Sequence, residues 1–310
     1  MAISLGLLGV VYPDGLVETS LYASSSRAIF GYGYNGANLS LSNQVNMYGI
    51  ISTDVANVDV ARIGLAAAGY GGDKAIFGYG FTSAKVSTTT LVSNIGVVSA
   101  DVTGVGTARS DLGAASYGGD KAIFGFGSSN AGSSNITNLV SNLGVVVSEG
   151  TGTGTAKESL AAAGYGGDKA IFGPGIGAGW VQKTNLISNV GVVAVDVNFT
   201  GTARKEQGAA TYGGDKAIFG YGILDTAAVT AATFLVSNVG VVSADVAGVG
   251  TPRTNLAAAC YGGDKAIFGY GYSGGYLTLT NLVSSTGVVT VENSGTGTGR
   301  TLLAAAGYAA

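Results

Sequence analysis

The residues able to do chemistry in this chain are few, and most of them recur. There are 15 Lys and Arg against 18 Asp and Glu in 310 residues, no His, and a net charge of −3. One basic residue closes each of six "GTAR"-like stretches: Arg62, Arg109, Lys157, Arg204, Arg253 and Arg300. Another ends each "GGDK" or its worn first copy: Arg27, Lys74, Lys121, Lys169, Lys216 and Lys265. Asp73, Asp120, Asp168, Asp215 and Asp264 precede those lysines, and a further acid series runs Asp54, Asp101, Glu149, Asp196, Asp245 and Glu292. A ring of acids invites a calcium reading and a ring of cations an anion reading. Calcium needs about six to eight oxygens in one place, and one Asp per repeat does not assemble them. The expectation is a scaffold: the hairpin Asp bonds its own turn, the recurring Arg pairs with a recurring acid, and neither metal nor cofactor is required.

Catalysis finds little to work with. Without His there is no Ser-His-Asp or Cys-His arrangement and no His-containing metal site. Glycoside hydrolysis needs two converging carboxylates. The acids outside the recurring series are Asp14, Glu18, Asp59, Asp111, Glu158, Glu206 and Asp225. Asp111, Glu158 and Glu206 closely follow the "GTAR" stretches and read as surface decoration, so no converging pair and no enzyme is expected. Cys260, the one cysteine, stands where other copies have Gly or Ser, which reads as a small buried residue. No basic patch offers a nucleic-acid surface. "MAISLGLLGVVYPDG" lacks the positive region of a secretory signal, and no run of about 18 apolar residues spells a membrane span.

The residues best suited to binding are aromatic: Trp180, the only Trp, with Tyr34, Phe81, Tyr272 and Tyr276. All lie in the segments that vary between copies: Tyr34–Ser42, Phe81–Thr90, Ser128–Thr137, Ile176–Thr184, Ile223–Thr233 and Tyr272–Thr280. Aromatic faces among Asn, Ser and Thr suit a sugar or a protein surface, with packing over the frame as the bland alternative. Trp180, beside Gly177 and Gly179, is the leading single candidate.

What positions them is a repeat. "AIF" begins at Ala28, Ala75, Ala122, Ala170, Ala217 and Ala266, spacings of 47, 47, 48, 47 and 49 residues. Each unit holds four apolar runs of strand length, as in "LGAASY", "KAIFGFG", "TNLVSN" and "GVVVSE", bounded by Gly, Asn or Ser. "GGD" between the first two is a tight hairpin turn. Four short strands per unit, repeated six times, spell an all-β, six-bladed β-propeller of four-stranded blades; a β-helix would have shorter rungs. Alanine is disfavoured in sheets, but the near-alanine first strands (Ala66–Ala68, Ala161–Ala163, Ala257–Ala259) suit the crowded axis. The chain ends on a first strand, Leu302–Tyr308, that lacks a second, and begins with a second strand that lacks a first. The C-terminal strand is therefore expected to close the first blade and hide the open edges. The predicted domains are 24–310, the propeller, and 1–23, an N-terminal β-hairpin turning at Pro-Asp-Gly. The variable loops then share one face, and the opposite face presents the "GGDK" hairpins to a partner.

The unit resembles a kelch-type propeller repeat. "GTAR" before "LAAA", and "AIFGYG" in place of that family's Gly-Gly strand, match its first half in all six units. The family's outermost Trp is missing, and "GVVSADV" stands there. The combination of "GGDKAIFGYG" with "TNLVSN" and "GVV" also resembles repeat proteins of tailed bacteriophage virions. The first resemblance implies a binding scaffold more often than an oxidase or lyase, and fold alone does not choose between them. Together they imply a non-enzymatic virion protein (tail fibre, tail tip or decoration) that binds a host-surface glycan or protein and contacts other virion proteins, with a homo-oligomer among the assemblies they allow. Neither nucleic acid nor membrane is an expected partner. The other classes are a cellular kelch-like interaction scaffold and a propeller glycosidase or lyase.

Overall fold

The computed structural model describes residues 26–309. The N-terminal hairpin expected over 1–23 lies outside the described residues. Within them the regular structure is strand alone, arranged as six blades around an axis.

Blade 2 shows the plan: Ala66–Tyr70, Lys74–Gly78, Thr89–Val92 and Val98–Val102 pair in that order, all antiparallel. The innermost strands of blades 3 to 6 are Gly113–Tyr117, Ala162–Tyr165, Gly208–Tyr212 and Ala257–Tyr261. Blade 1 is closed by the chain's end. Ala304–Tyr308 takes the innermost place against Arg27–Gly31, in the register Ile29 to Ala306 and Gly31 to Ala304. The inner hairpin turns at Gly71–Gly72 with φ of 65° and 80°, a left-handed pair that glycine adopts without cost.

The second strand explains why "KAIFG" is rewritten so faithfully. Its last four residues are buried in blade 2 as in four other blades. Alternation sends Ile76 to one side of its blade, against Ala122 and Phe124 of blade 3. It sends Ala75 and Phe77 to the other side, against Ile29 and Tyr32 of blade 1. Six such clusters fill the six gaps, and the gap between blades 6 and 1 is built like the rest. The glycine ending the strand is steric: a Cβ on Gly78 would stand 2.6 Å from Cζ of Phe124 in the next blade.

The fourth strand is shorter than expected. In blades 1, 3, 4 and 6 it pairs over two residues only: Val55–Ala56, Gly150–Thr151, Val197–Asn198 and Asn293–Ser294. In blade 5 single bridges, among them Thr233 to Val246, take its place. The "GVV" run makes one bridge, as between Val140 and Val146, and then leaves the ladder. Where the third strand carries Asn, its side chain reaches the departing segment: Asn138 Nδ2 donates to Val147 O at 3.2 Å and Asn281 Nδ2 to Thr290 O at 3.0 Å.

Candidate functional site

The recurring cations are mortar between blades. Arg109 lies over the Tyr79 ring of blade 2 at 4.8 Å and donates to Asn138 Oδ1 (2.5 Å) and Ile136 O (2.6 Å) of blade 3. Arg62, Arg253 and Arg300 stack likewise on Tyr32, Tyr221 and Tyr270. Desolvated cation–π contacts are worth about 2 kcal/mol. Blade 4 has Pro174 in place of the aromatic residue, and there Phe234 supplies the ring under Arg204. The expected Arg–acid pairing holds for Arg62–Asp101 (2.7 Å), Arg204–Asp245 (2.5 Å) and Arg300–Asp54 (3.8 Å). At Arg109, Lys157 and Arg253 the third-strand Asn accepts instead. The acids also hold the "GT" residues: Thr107 donates through N and Oγ1 to Glu149, and Thr298 likewise to Asp54. These bonds lower the Glu149 carboxyl, and at Asp54 they outweigh a burial effect that acts the other way. The hairpin acids Asp73, Asp120, Asp168, Asp215 and Asp264 each accept from the next lysine at 2.5–3.0 Å. Among the described residues no group of three or more His, Cys, Asp or Glu is placed to hold a metal ion. Cys260 packs against Gly307 of the neighbouring inner strand, and burial pushes its thiol up.

The axis opens between the variable loops into a mouth lined by Gly64, Asp111, Ser159, Glu206, Asn255 and Leu302, one per blade. Their backbones form a closed hydrogen-bond ring. Gly64 N donates to Leu302 O (3.0 Å), Asp111 N to Gly64 O (2.7 Å), Ser159 N to Asp111 O (2.8 Å) and Glu206 N to Ser159 O (2.8 Å). Asn255 N to Glu206 O and Leu302 N to Asn255 O, both 3.0 Å, complete it. All six residues have φ between 51° and 60°. Five of them are not glycine, so the ring holds residues in a sparsely populated conformation.

Here the expectation that Asp111 and Glu206 are surface decoration is corrected: both line the mouth. The Asp111 carboxylate sits over Gly64, where a Cβ would come within 2.9 Å of Oδ1. Burial raises its pKa, with Glu158 and Glu206 adding to the effect and Ser110 opposing it. Glu206 accepts from Asn255 Nδ2 at 2.8 Å and pairs with Lys205 at 3.3 Å.

Around the mouth the first residue of each variable loop is bridged to the residue preceding a ring position. Tyr34 bridges Thr301, Phe81 bridges Ile63 and Tyr272 bridges Thr254. Blades 6, 1 and 2 therefore set Tyr272, Tyr34 and Phe81 side by side. Tyr276 lies between the first two, its ring centroid 5.6 Å from Tyr272 and 6.0 Å from Tyr34. Asn38 Nδ2 ties the blade 1 loop to Thr82 O at 3.2 Å. Four of the five aromatic candidates thus form one arc beside the mouth. Phe81, Tyr272 and Tyr276 are 37–42% exposed, too open to serve as packing alone. Trp180 stands apart on blade 4, 36% exposed, with Lys205 Nζ 5.9 Å from its ring. The arc was not legible as a unit because only ring closure brings blade 6 beside blade 1. No protein-family model matches the chain, and no curated protein matches it.

Proposed function

We propose that the chain is a non-enzymatic binding protein that engages a host-surface glycan or protein through its loop face. The aromatic arc of Tyr34, Tyr272, Tyr276 and Phe81 makes the contact. The observation that carries this is the arc itself: rings from three blades converge next to the polar mouth, with Phe81, Tyr272 and Tyr276 exposed and Tyr34 half-buried among them. Rings held by paired backbone bonds lose little freedom on binding, and their faces suit the apolar side of a sugar. The setting on a phage virion, as tail fibre, tail tip or decoration, rests on the likeness of the repeat to tailed-phage proteins. The test is binding of labelled protein to a glycan array and to a panel of bacterial cells. Tyr276→Ala is expected to weaken binding at least about tenfold, a loss near 1.4 kcal/mol, with Trp180→Ala affecting it less. Binding that Trp180→Ala abolishes and Tyr276→Ala leaves intact would move the site across the mouth to blade 4.

One observation favours a second reading, a propeller glycosidase or lyase: Asp111 is a carboxyl held toward its protonated form beside Glu206 at the same mouth. Turnover of chromogenic glycosides or uronides that disappears in Asp111→Asn would establish it, and its absence with binding intact leaves the first reading standing.

A further inference from the structure

The face opposite the loops carries two concentric patterns that loop-face binding does not use. Nearest the axis stand the hairpin tips. Five Asp–Lys pairs, with side chains 36–47% exposed, are joined by Arg27 in the sixth place. Outside them, the turn between third and fourth strands shows an apolar residue at one fixed position in every blade. These are Ile50, Val97, Val145, Val192, Val241 and Val288, each 58–65% exposed. The position two residues earlier is apolar in five blades and Thr286 in the sixth, giving five plus six, or eleven, exposed apolar side chains. The turns are rigid: in five of them a Ser Oγ accepts from the backbone N of the fixed-position residue, as Ser141 does from Val145 at 3.2 Å. Isolated surface apolar residues need no explanation, but a ring repeated in every blade does.

We infer that this face closes against the same face of a second copy about a two-fold axis. The charges favour a copy over a charged partner. Six cations against five acids leave the tips almost neutral, so they exert no field that gathers nucleic acid or an anionic membrane surface. The alternation is self-complementary: a two-fold reverses its order and sets the Asp of one ring against the Lys of the other, as an isologous contact requires. The apolar turns recur around both rings at the same spacing, so a face-to-face contact also brings the two apolar rings together. Eleven turn residues and eleven tip charges match the roughly 20–30 residues a side of a standard interface.

Sedimentation equilibrium of the full chain tests this. A dimer of the 30.5 kDa chain is expected. The Val145→Asp/Val192→Asp/Val241→Asp variant should dissociate at least about a hundredfold more readily, with its circular dichroism unchanged. Should that variant misfold, Lys121→Glu/Lys169→Glu/Lys216→Glu alters only exposed tips and is expected to weaken the dimer as well by placing acid on acid. Tyr276→Ala should leave it intact. A monomeric full chain at micromolar concentration overturns the inference. A dimer that survives both triple variants overturns it too.

Discussion

Lys157 is the odd member of the interblade cations. It is fully buried, over the Phe126 ring at 4.8 Å, with Asn185 Oδ1 and Lys183 O as acceptors. Burial pushes its ammonium down to about 7, with Asp196 pulling the other way. Between that value and the lysine's ordinary 10.5, the unfolded chain binds the extra proton. Stability should therefore rise with pH over this window. Lys157→Arg replaces a titrating ammonium by a guanidinium that stays charged, as in five other blades. It is expected to flatten the rise, measured by denaturant unfolding at pH 6, 8 and 10. Parallel curves for both proteins would contradict this. The cation ring was readable from spacing alone. That Asn replaces the acid as partner in three blades was not, because third-strand Asn residues look like ordinary strand-end polar residues, yet Asn138, Asn185 and Asn281 are fully buried. The mouth was hidden for a related reason: Asp111, Ser159, Glu206, Asn255 and Leu302 adopt positive φ without being glycine, and only Gly64 carried the usual signal.

At the scale of elements, the repeated hairpin is a packing unit and its glycine a steric requirement. Gly78→Ala sets a methyl against Phe124 at 2.6 Å and should cost about 1–3 kcal/mol, the usual penalty for overpacking. Ala67→Ser, on the more open side of the inner strand, should cost well under that. Equal thermal shifts for the two would contradict the packing argument. The three inner strands of each blade were legible because short apolar runs bounded by Gly, Asn or Ser are local signals. The fourth was overextended because the "GVV" run makes a single bridge, as between Val236 and Val242, and then leaves the ladder, which apolar patterning does not register. The C-terminal strand Ala304–Tyr308 completes blade 1. Deleting residues 302–310 should expose the edge of Arg27–Gly31 and the blade 6 surface together. The expected outcome is loss of the single cooperative unfolding transition, seen by calorimetry. A truncated chain that melts as sharply as the full one would mean that closure contributes nothing.

Across the whole molecule, sameness and variation divide by radius and by face. Five near-identical hairpins and the closure of blade 1 surround the axis on one side, and six dissimilar loops surround the mouth on the other. Six equal blades make a rigid ring, and a rigid ring lets loops carry function without carrying the fold. The most direct measurement of that division is a loop exchange in the full chain. Residues 34–42 and 272–280 are replaced by the blade 3 loop, "SSNAGSSNIT", with every repeat left untouched. Binding to glycans and cells should be lost, while the melting temperature moves by no more than about 4 °C, a change of roughly 1–2 kcal/mol for a chain of this size. Binding retained after the exchange, or a chain that no longer folds, would show that the loops are frame and that the site lies elsewhere.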